Sequence, residues 1–486
     1  MILKKRFLTT IIMTLTLGMN CFSQTTCSIP NQNNRPTPVF PVPSKAQQAW
    51  QEMEMYAFIH FGMNTFTDVE WGDGSEQPSR YAPKQALDVN QWVTVCKEAG
   101  LKGIILTAKH HDGFCIWNTQ STAHSTAQCS GYGKDDVVKL LSDECAKQGL
   151  KFGVYVSPWD RNNAEYGRPG YLDVYRKQIR ELCTNYGNLF ELWFDGANGG
   201  SGYYGGTGGT RTIDASTYYD WPNTIEIIKS LQPNTVIWGI ADEARWIGNE
   251  LGYANETNWC TEYGGSITNA VSGNINGGDW IPGECDVSIR SNWFYHAVNT
   301  PKTGEALFDI YIKSVGRNAN LILNIPPNTA GRFADADVAA LKSWKALMNS
   351  NLGADLALSA TATASAVRSS GSSGVPLYTA AKVNDGDKDS FWAQEDGTTT
   401  ASVVLSWNSA QTVKYIMLQE YIRLGQRVKA FEVDIWNGSS WETKLTGTTI
   451  GYKRILPFPS AITTTKVRVR ITDSKVAPLI HTISVF

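Results

Sequence analysis

The chain has 486 residues, of which 42% are hydrophobic, and its 43 basic and 45 acidic residues leave a net charge of −2. This balance gives no basis for charge-driven binding to nucleic acid or to an anionic membrane. The length exceeds what a single hydrophobic core usually serves, so we predict two or more domains.

Residues 1–23 are typical of a secretory signal. Three basic residues precede a short apolar run, and Ser23 is a small residue before a cleavage point. Cys21 suggests a lipoprotein instead, but Asn20 before it is bulkier than lipid attachment usually tolerates. We therefore predict an exported protein, periplasmic or secreted, with cleavage after Ser23 and no transmembrane segment in the mature chain.

Residues 24–352 alternate between strand-like and helix-like segments. The strand-like runs are "YAFIHFG", "LKGIILTAKHH", "LKFGVYVSP", "LFELWFDG", "NTVIWGI" and "ANLILNIPP". Helix-like segments at 90–100, 135–149, 171–186, 218–231 and 334–348 separate or follow them. Helices between buried strands indicate a parallel sheet, and this many units favours an α/β fold of the (β/α)8-like TIM-barrel type. The chemistry is then expected at the carboxyl ends of the strands.

Residues 353–486 have a different texture, rich in Ser, Thr, Ala and Val. Short alternating stretches such as "SVVLSW", "FEVDIW" and "KVRVRI" predict strands with one buried face. We expect a separately folded, all-β sandwich without cysteine.

Polar and aromatic side chains gather at or near the ends of the first four predicted strands. They are His60, Glu70, Trp71, His110, His111, Tyr155, Trp193 and Asp195. A lone histidine in such a position is usually a hydrogen-bonded core residue, but several residues converging on one face of a barrel predict a binding site.

Several kinds of chemistry lack their motifs. No HExxH occurs, and consecutive histidines cannot all aim at one ion, so we predict no catalytic metal and no cofactor. The Gly200–Gly205 stretch fits GxGxxG, but more glycine follows it where a dinucleotide site needs a helix, so we interpret it as a loop over the site. No nucleophilic serine motif is present. Carboxylates remain as candidates for catalysis. Asp195 either caps the next helix or acts as the nucleophile of glycoside hydrolysis, and the second role requires another carboxyl group to protonate the departing oxygen.

Six stretches in chain order carry a family resemblance. They are "FIHFGMNTFTDVEWGDG", "TAKHHDGF", "SPWDRN", "ELWFDGANG", "ARWIGNELGYANETNW" and "ANLILNIPPN". Together they resemble the family 29 α-L-fucosidases, especially the branch that acts on 1,3- and 1,4-linked fucose. The resemblance implies a (β/α) barrel, a retaining double displacement with Asp195 as the nucleophile, and fucosylated oligosaccharides or glycoconjugates as substrates.

The resemblance also implies roles for other residues. The fucose-binding groups are His60, Glu70, Trp71, His110, His111 and Trp193, to which we add Tyr155 from its place near a strand end. Arg290 and Trp293 are expected on the side of the departing group. For the acid/base we predict Glu250, with Glu284 as the rival and Glu243 and Glu262 as weaker alternatives.

The C-terminal segment, with "ALSATATAS" and "KVNDGDKDSFWAQ", resembles the discoidin-like (F5/8 type C) modules. That implies a jelly roll that binds sugar, sometimes with a structural calcium at the turn where Asn384, Asp385 and Asp387 supply oxygen atoms. The same residues form ordinary turns without an ion. Sugar binding and a purely structural role both remain open.

The sequence therefore favours an exported exo-α-L-fucosidase that releases 1,3- or 1,4-linked fucose from branched, Lewis-type glycans. The alternative is a non-catalytic carbohydrate-binding surface protein on a barrel scaffold. Both hypotheses use the same histidines and aromatic residues, so only the carboxylates, Asp195 and Glu250, separate them.

Overall fold

A computed structural model describes residues 34–371 and 374–486, so the predicted signal segment and Cys21 lie outside the described residues. The barrel strands, β1 to β8 in chain order, are Met55–Ile59, Gly103–Lys109, Lys151–Val156, Leu189–Trp193, Val236–Trp238, Arg245–Trp246, Gly283–Ser288 and Ala319–Asn324. They form one eight-stranded sheet in the order β5-β4-β3-β2-β1-β8-β7-β6, and every pairing is parallel. The barrel is nearly closed, with a gap between β5 and β6, which confirms the predicted fold class.

The helices of the barrel domain, α1 to α9 in chain order, are Lys45–Gln51, Met63–Thr67, Val89–Ala99, Val137–Gln148, Gly170–Asn185, Ala215–Tyr218, Trp221–Leu231, Gly304–Lys313 and Asp335–Leu352. The sequence encodes the limits of α3 and α4 in the same way. Asp88 and Asp136 accept hydrogen bonds from the first turns of the two helices, and Gly100 and Gly149 end them with φ of 92° and 82°. An aspartate start and a left-handed glycine stop are common helix signals.

The two faces of the barrel strands bury different residues. In β1, Tyr56 and Phe58 point into the barrel, while Met55, Ala57 and Ile59 pack outward with the residues of the helical layer. Both faces are covered, so the strand reads as a continuous apolar run. The inward residues at the carboxyl end of the barrel are therefore the ones that reach its mouth.

The C-terminal domain is an antiparallel sheet with a core of its own. Its strands, β9 to β15, are Thr361–Ala364, Trp392–Ala393, Ala401–Glu420, Val428–Trp436, Trp441–Gly447, Arg454–Ser474 and Leu479–Val485. The long strands β11 and β14 pair with irregular register near Gln411 and Tyr415, where bulges increase strand twist and bend the sheet. This agrees with the predicted all-β domain.

The C-terminal domain docks on the barrel face opposite the mouth. Lys453 pairs with Glu54, which directly precedes β1, with 2.6 Å between nitrogen and oxygen. Arg423 pairs with Glu52 at 3.3 Å. Within the described ranges 34–371 and 374–486, no helix has both the length and the apolar character to cross a membrane.

Two short hairpins extend the barrel loops. Gly200–Ser201 pairs with Thr210–Arg211, and Thr261–Glu262 pairs with Asp279–Trp280. The first contains the glycine-rich stretch that we interpreted as a loop. Gly200 lies at φ 116°, and a Cβ there would come within 3.2 Å of the Trp159 ring, so the glycine allows the hairpin to lie close to that tryptophan.

Candidate active site

A pocket of about 130 Å³ opens at the carboxyl ends of the barrel strands. We call it the central pocket. Its lining is Phe58, His60, Trp71, His110, His111, Tyr155, Trp193, Asp195, Glu250, Asp286 and Trp293. It therefore brings together nine of the eleven side chains predicted to serve the site, together with Phe58 and Asp286, which were not predicted.

Asp195 lies two residues after β4, and two hydrogen bonds hold its carboxylate. Its Oδ2 accepts a hydrogen bond from the Tyr155 hydroxyl at 3.0 Å, and its Oδ1 accepts one from the Ala197 amide at 2.7 Å. His111 Nε2 lies 3.8 Å from Oδ2. The side chain stays 29% exposed, so the carboxylate is oriented by the protein and still open to a ligand.

His60 and His111 are each oriented by a polar neighbour. His60 Nδ1 lies 2.9 Å from Asn324 Oδ1, and His111 Nδ1 lies 2.8 Å from Ser157 Oγ. The Ser157 hydroxyl donates to the Trp159 carbonyl at 2.8 Å, so it accepts from His111. In both neutral rings Nδ1 is thus the donor, which leaves Nε2 as an acceptor.

Burial keeps the three pocket histidines neutral. It lowers the pKa of His60 to about 3 and that of His111 to about 4, and it lowers the pKa of His110 well below its usual value. His110 and His111 sit with ring centroids 4.1 Å apart. Both reach one pocket because β2 ends at Lys109, directly before them. The three imidazoles therefore enter the pocket as neutral hydrogen-bonding groups.

Aromatic rings form the walls. The Trp193 ring stacks on Tyr155 at 5.4 Å and on Trp238 at 3.7 Å. Trp71 is 54% exposed and meets the His111 ring edge-on at 4.9 Å. Such rings match the apolar faces of a sugar, while the imidazoles and Asp195 match its hydroxyls.

The structure separates the candidates for a second carboxyl group. Glu250 is exposed, lies in the loop after β6, and lines the central pocket together with Asp195. Glu284 is fully buried: Trp193 Nε1 donates to its Oε1 at 2.9 Å, and the Tyr56 hydroxyl donates to its Oε2. Burial raises the Glu284 pKa to about 7. Glu284 therefore stabilises Trp193 in the pocket wall and does not itself line the pocket.

The two weaker candidates are also engaged elsewhere. Glu243 forms an ion pair with Lys229 at 2.6 Å and accepts the Ile237 amide at 2.8 Å. Glu262 is buried and accepts hydrogen bonds from its own loop, including the Thr268 hydroxyl at 3.0 Å. Of the four glutamates, Glu250 alone lines the pocket.

Asp286 is a pocket residue that the sequence reasoning missed. It lies on β7, accepts a hydrogen bond from Trp246 Nε1 at 2.8 Å, and is almost completely buried. Burial raises its pKa to about 8, with Glu284 and Glu250 adding to the shift. The available signal was its place in "GECDVS", where alternate residues of one strand point to one face.

Two predicted residues lie outside the pocket lining. The Glu70 carboxylate accepts the amides of Trp293 and Phe294 at 3.0 and 3.1 Å, so it holds the loop that carries Trp293. Arg290 is buried in an ion pair with Asp337 at 3.0 Å. The structure thus places neither side chain in the pocket lining, and their predicted roles toward fucose and the departing group stay predictions.

A second cavity of about 730 Å³ adjoins the central pocket and lies over the gap between β5 and β6. We call it the side hollow. Its lining includes Trp193, Asp195, Glu250 and Asp286, which both cavities share, and Trp221, Trp238, Ile240, Asp242, Arg245, Trp246 and Ile267. A group attached to a ligand in the central pocket would extend into this hollow past Glu250.

The proposed calcium turn in the C-terminal domain uses its donors internally. Asn384 Nδ2 donates to the carbonyls of Ala357 and Ala360, and Asp385 accepts from Ser390 Oγ and the Asp387 amide. Within the described part of the chain, no three His, Cys, Asp or Glu side chains group as metal ligands. These contacts fit a turn better than an ion site, and calcium stays a prediction.

Comparisons with known proteins agree with the family resemblance of both domains. Residues 38–352 match the family described as "Alpha-L-fucosidase", and residues 360–482 match "F5/8 type C domain". The chain is 35% identical to "Alpha-L-fucosidase 1" of Arabidopsis thaliana over 466 residues, 93% of this chain and 88% of that protein. A glycoside hydrolase 29 family member from an unknown rumen bacterium is 40% identical with a TM-score of 0.81, covering 93% of this chain and 78% of that one. A Ruminococcus gnavus GH29 fucosidase in complex with fucose is 31% identical with a TM-score of 0.84, covering 94% and 97%.

Proposed function

Because the chain belongs to the α-L-fucosidase family of glycoside hydrolases and is an α-L-fucosidase with a C-terminal F5/8 type C domain, we propose that it releases 1,3- or 1,4-linked fucose from branched glycans with retention of configuration. We assign the nucleophile to Asp195 and the acid/base to Glu250. The observation that carries the proposal is that these two carboxyl groups line one small pocket beside neutral histidines.

The first step forms a covalent intermediate. Asp195 attacks the anomeric carbon of fucose while the bond to the departing oxygen breaks, and protonated Glu250 gives its proton to that oxygen. Tyr155 and the Ala197 amide hold the Asp195 carboxylate in one orientation for this attack. The neutral histidines can hydrogen-bond the fucose hydroxyls without competing for the charge of Asp195.

The second step releases fucose. Glu250, now a carboxylate, takes a proton from water, and the water oxygen attacks the anomeric carbon and displaces Asp195. Two displacements on opposite faces return the original configuration. Glu250 is exposed at the border of the central pocket and the side hollow, where water can replace the departed group.

The side hollow supports the proposal of a branched substrate. Fucose linked 1,3 or 1,4 in a Lewis-type glycan has a neighbouring sugar beside it on the same residue, so its departing group is bulky. A hollow of about 730 Å³ with the exposed ring of Trp246 in its wall offers both room and a stacking surface for such a group.

We further propose that the protein is exported, on the strength of the first 23 residues. Mass spectrometry of protein recovered from its producing cells is expected to find a mature chain that begins at Gln24. A lipid-modified Cys21 as the first residue would contradict this and establish a lipoprotein.

The catalytic proposal is tested with a Lewis-type trisaccharide and an aryl α-L-fucoside. We expect the intact protein to release fucose from both, and Asp195→Ala to lose activity by at least about 10³-fold on both. Azide is expected to rescue Asp195→Ala and yield the inverted fucosyl azide. Glu250→Ala is expected to lose most activity on the trisaccharide, and azide in its case should yield the retained fucosyl azide, because it replaces water in the second step.

Two controls sharpen this test. Asp143→Ala removes an exposed carboxylate on α4, outside both cavities, and is expected to match the intact protein on both substrates. Glu284→Gln tests the rival acid/base. Its activities on the trisaccharide and on the aryl fucoside are expected to keep the ratio that the intact protein shows. A protein that binds the trisaccharide and cleaves neither substrate would establish the non-catalytic alternative, and release of only 1,2- or 1,6-linked fucose would overturn the linkage.

A further inference from the structure

Two loops of the C-terminal domain reach the barrel and are fixed to each other by one carboxylate. Glu420 is buried and accepts hydrogen bonds from the amides of Arg427 at 2.7 Å, Val428 at 2.8 Å and Gly451 at 2.7 Å. These amides belong to residues 425–428 and 448–453, which we call the brace loops. Three bonds to one buried group give the brace loops a defined relative position.

The brace loops bind the backbone of a barrel segment. Gln426 Oε1 accepts from the Cys260 amide at 2.7 Å, and its Nε2 donates to the Asn258 carbonyl at 3.0 Å. Thr449 Oγ1 accepts from the Asn258 amide at 2.8 Å. Gln426 and Thr449 are 2% and 1% exposed. The C-terminal domain therefore supplies the acceptors for two buried backbone amides of the barrel, those of Asn258 and Cys260, while the Asn258 carbonyl also accepts from Asn318 at 2.8 Å.

The segment held in this way is the base of the loop that carries Glu250. The chain passes through Arg245 at the start of β6, turns at Glu250 beside the central pocket, and returns to Asn258. Arg245 Nη2 donates to Asn258 Oδ1 at 2.5 Å, which ties the two ends of the loop together. The next residue after Arg245, Trp246, donates to Asp286 in the pocket wall.

Within this loop the barrel bonds to residues on both sides of Glu250, and three residues after it the Tyr253 hydroxyl donates to Asp309 on α8 at 3.2 Å. The Ile247 amide donates to the Glu284 carbonyl at 3.0 Å, and the Ala254 amide donates to the Lys313 carbonyl at 2.9 Å. Glu250 lies exposed between these two points. Its position thus depends on the bonds that hold the loop on both sides of it, and the brace loops supply those at the Asn258 and Cys260 amides.

We propose that the C-terminal domain is a positioning element of the fucosidase site, in which Gln426 and Thr449 fix the base of the Glu250 loop. The inference rests on the proposed role of Glu250 as the acid/base. A general acid acts only within hydrogen-bond reach of the oxygen that it protonates. A small displacement of the loop therefore weakens proton donation by Glu250 before it weakens the binding of fucose.

The test compares two substrates that differ in their need for that proton. Methyl α-L-fucoside has a poor leaving group, which needs the proton, and its methyl group is too small to fill the side hollow. The dinitrophenolate of 2,4-dinitrophenyl α-L-fucoside departs without protonation. We expect Thr449→Ala and Gln426→Ala, made in the full chain, to lower kcat/KM for the methyl fucoside by about fivefold to tenfold. The value for the dinitrophenyl fucoside is expected to stay within about twofold, because kcat/KM reports the first step.

Matched variants keep the result interpretable. Thr449→Ser retains the hydroxyl and is expected to restore the methyl fucoside value, and Thr463→Ala removes an exposed threonine of the same domain, paired with Thr412, and is expected to match the intact protein. Equal losses on both substrates, or no loss on either, would overturn the proposal. Glu250→Ala is measured alongside: if it shows no leaving-group dependence, the acid/base assignment itself fails, whatever the brace variants do.

Discussion

The central pocket and the side hollow share a border but differ in almost every physical property. The pocket encloses about 130 Å³ and is built on strand ends with buried, neutral histidines. The hollow encloses about 730 Å³, and Trp246 in its wall is 43% exposed. A tight, hydrogen-bonding pocket selects one sugar ring, while a wide aromatic hollow tolerates different groups attached to it.

The difference follows from where each cavity lies in the barrel. The pocket residues His60, His111 and Asp195 follow β1, β2 and β4, which are hydrogen-bonded side by side with β3. The hollow lies over β5 and β6, which are not bonded to each other. In the proposed mechanism the closed part of the sheet holds the reacting sugar, and the gap supplies the space for the departing group.

Apart from the two carboxylates, the largest expected effect lies in the pocket. His60→Phe preserves ring volume beside Phe58 but removes the acceptor, so we expect kcat/KM to fall about 100-fold through the loss of hydrogen bonds to the sugar. The loss is expected to be the same for methyl, dinitrophenyl and trisaccharide substrates, because all share the fucose ring. His124→Phe changes another buried histidine outside the pocket and serves as the control. A loss that grew with the size of the departing group would contradict the separation of the two cavities.

The next effect concerns Asp286, which belongs to both cavities. Burial raises its pKa to about 8, so the native protein keeps it protonated near pH 7 while the unfolded chain ionises it. The unfolded state then binds fewer protons between about pH 4 and 8, and this group lowers stability as pH rises through that window. Asp286→Asn cannot ionise, so its advantage over the intact protein is expected to grow with pH.

We expect the gain in thermal midpoint of Asp286→Asn to be about 2–4 °C larger at pH 8 than at pH 5. Scanning calorimetry of both proteins at the two pH values measures it. Asp242→Asn, an exposed carboxyl of the same hollow, is expected to show no such growth. An equal or smaller gain at pH 8 would mean that the wall shared by the two cavities is wetter than its burial indicates.

The sequence predicted the pocket far better than the hollow, for a physical reason. His60, His110, His111, Trp193 and Asp195 lie at or within two residues of the ends of long apolar strands, and parallel strands bring such positions to one face. The periodicity that reveals a strand thus also locates its functional end. The fold class and most of the pocket followed from this pattern.

The hollow and its border follow from contacts that no local pattern encodes. Strand β6 has two residues, too few for a periodic signal, and β7 reads "GECDVS", whose buried acids do not resemble a core strand. Asp286 was missed for that reason. The family resemblance predicts Glu70 as a sugar ligand, and no local pattern predicts that its carboxylate accepts the amides of Trp293 and Phe294, far away in the chain. Such pairings arise only once the barrel closes.

The smallest expected effect tests the hollow itself. Trp246→Ala removes a half-exposed ring from its wall, and we expect kcat/KM for the Lewis-type trisaccharide to fall about tenfold, the worth of one stacking contact. Methyl α-L-fucoside does not reach the ring, so its value is expected to change less than about threefold.

Trp246 also donates to Asp286, so Trp246→Ala alone mixes stacking with the loss of that hydrogen bond. Trp246→Phe separates the two, because it keeps an aromatic face and removes only the donor. If stacking dominates, Trp246→Phe retains most trisaccharide activity, while Trp441→Ala in the C-terminal domain retains all of it. If Trp246→Phe loses as much as Trp246→Ala, and on both substrates, the indole acts through Asp286 on the central pocket, and the two cavities are one site rather than two.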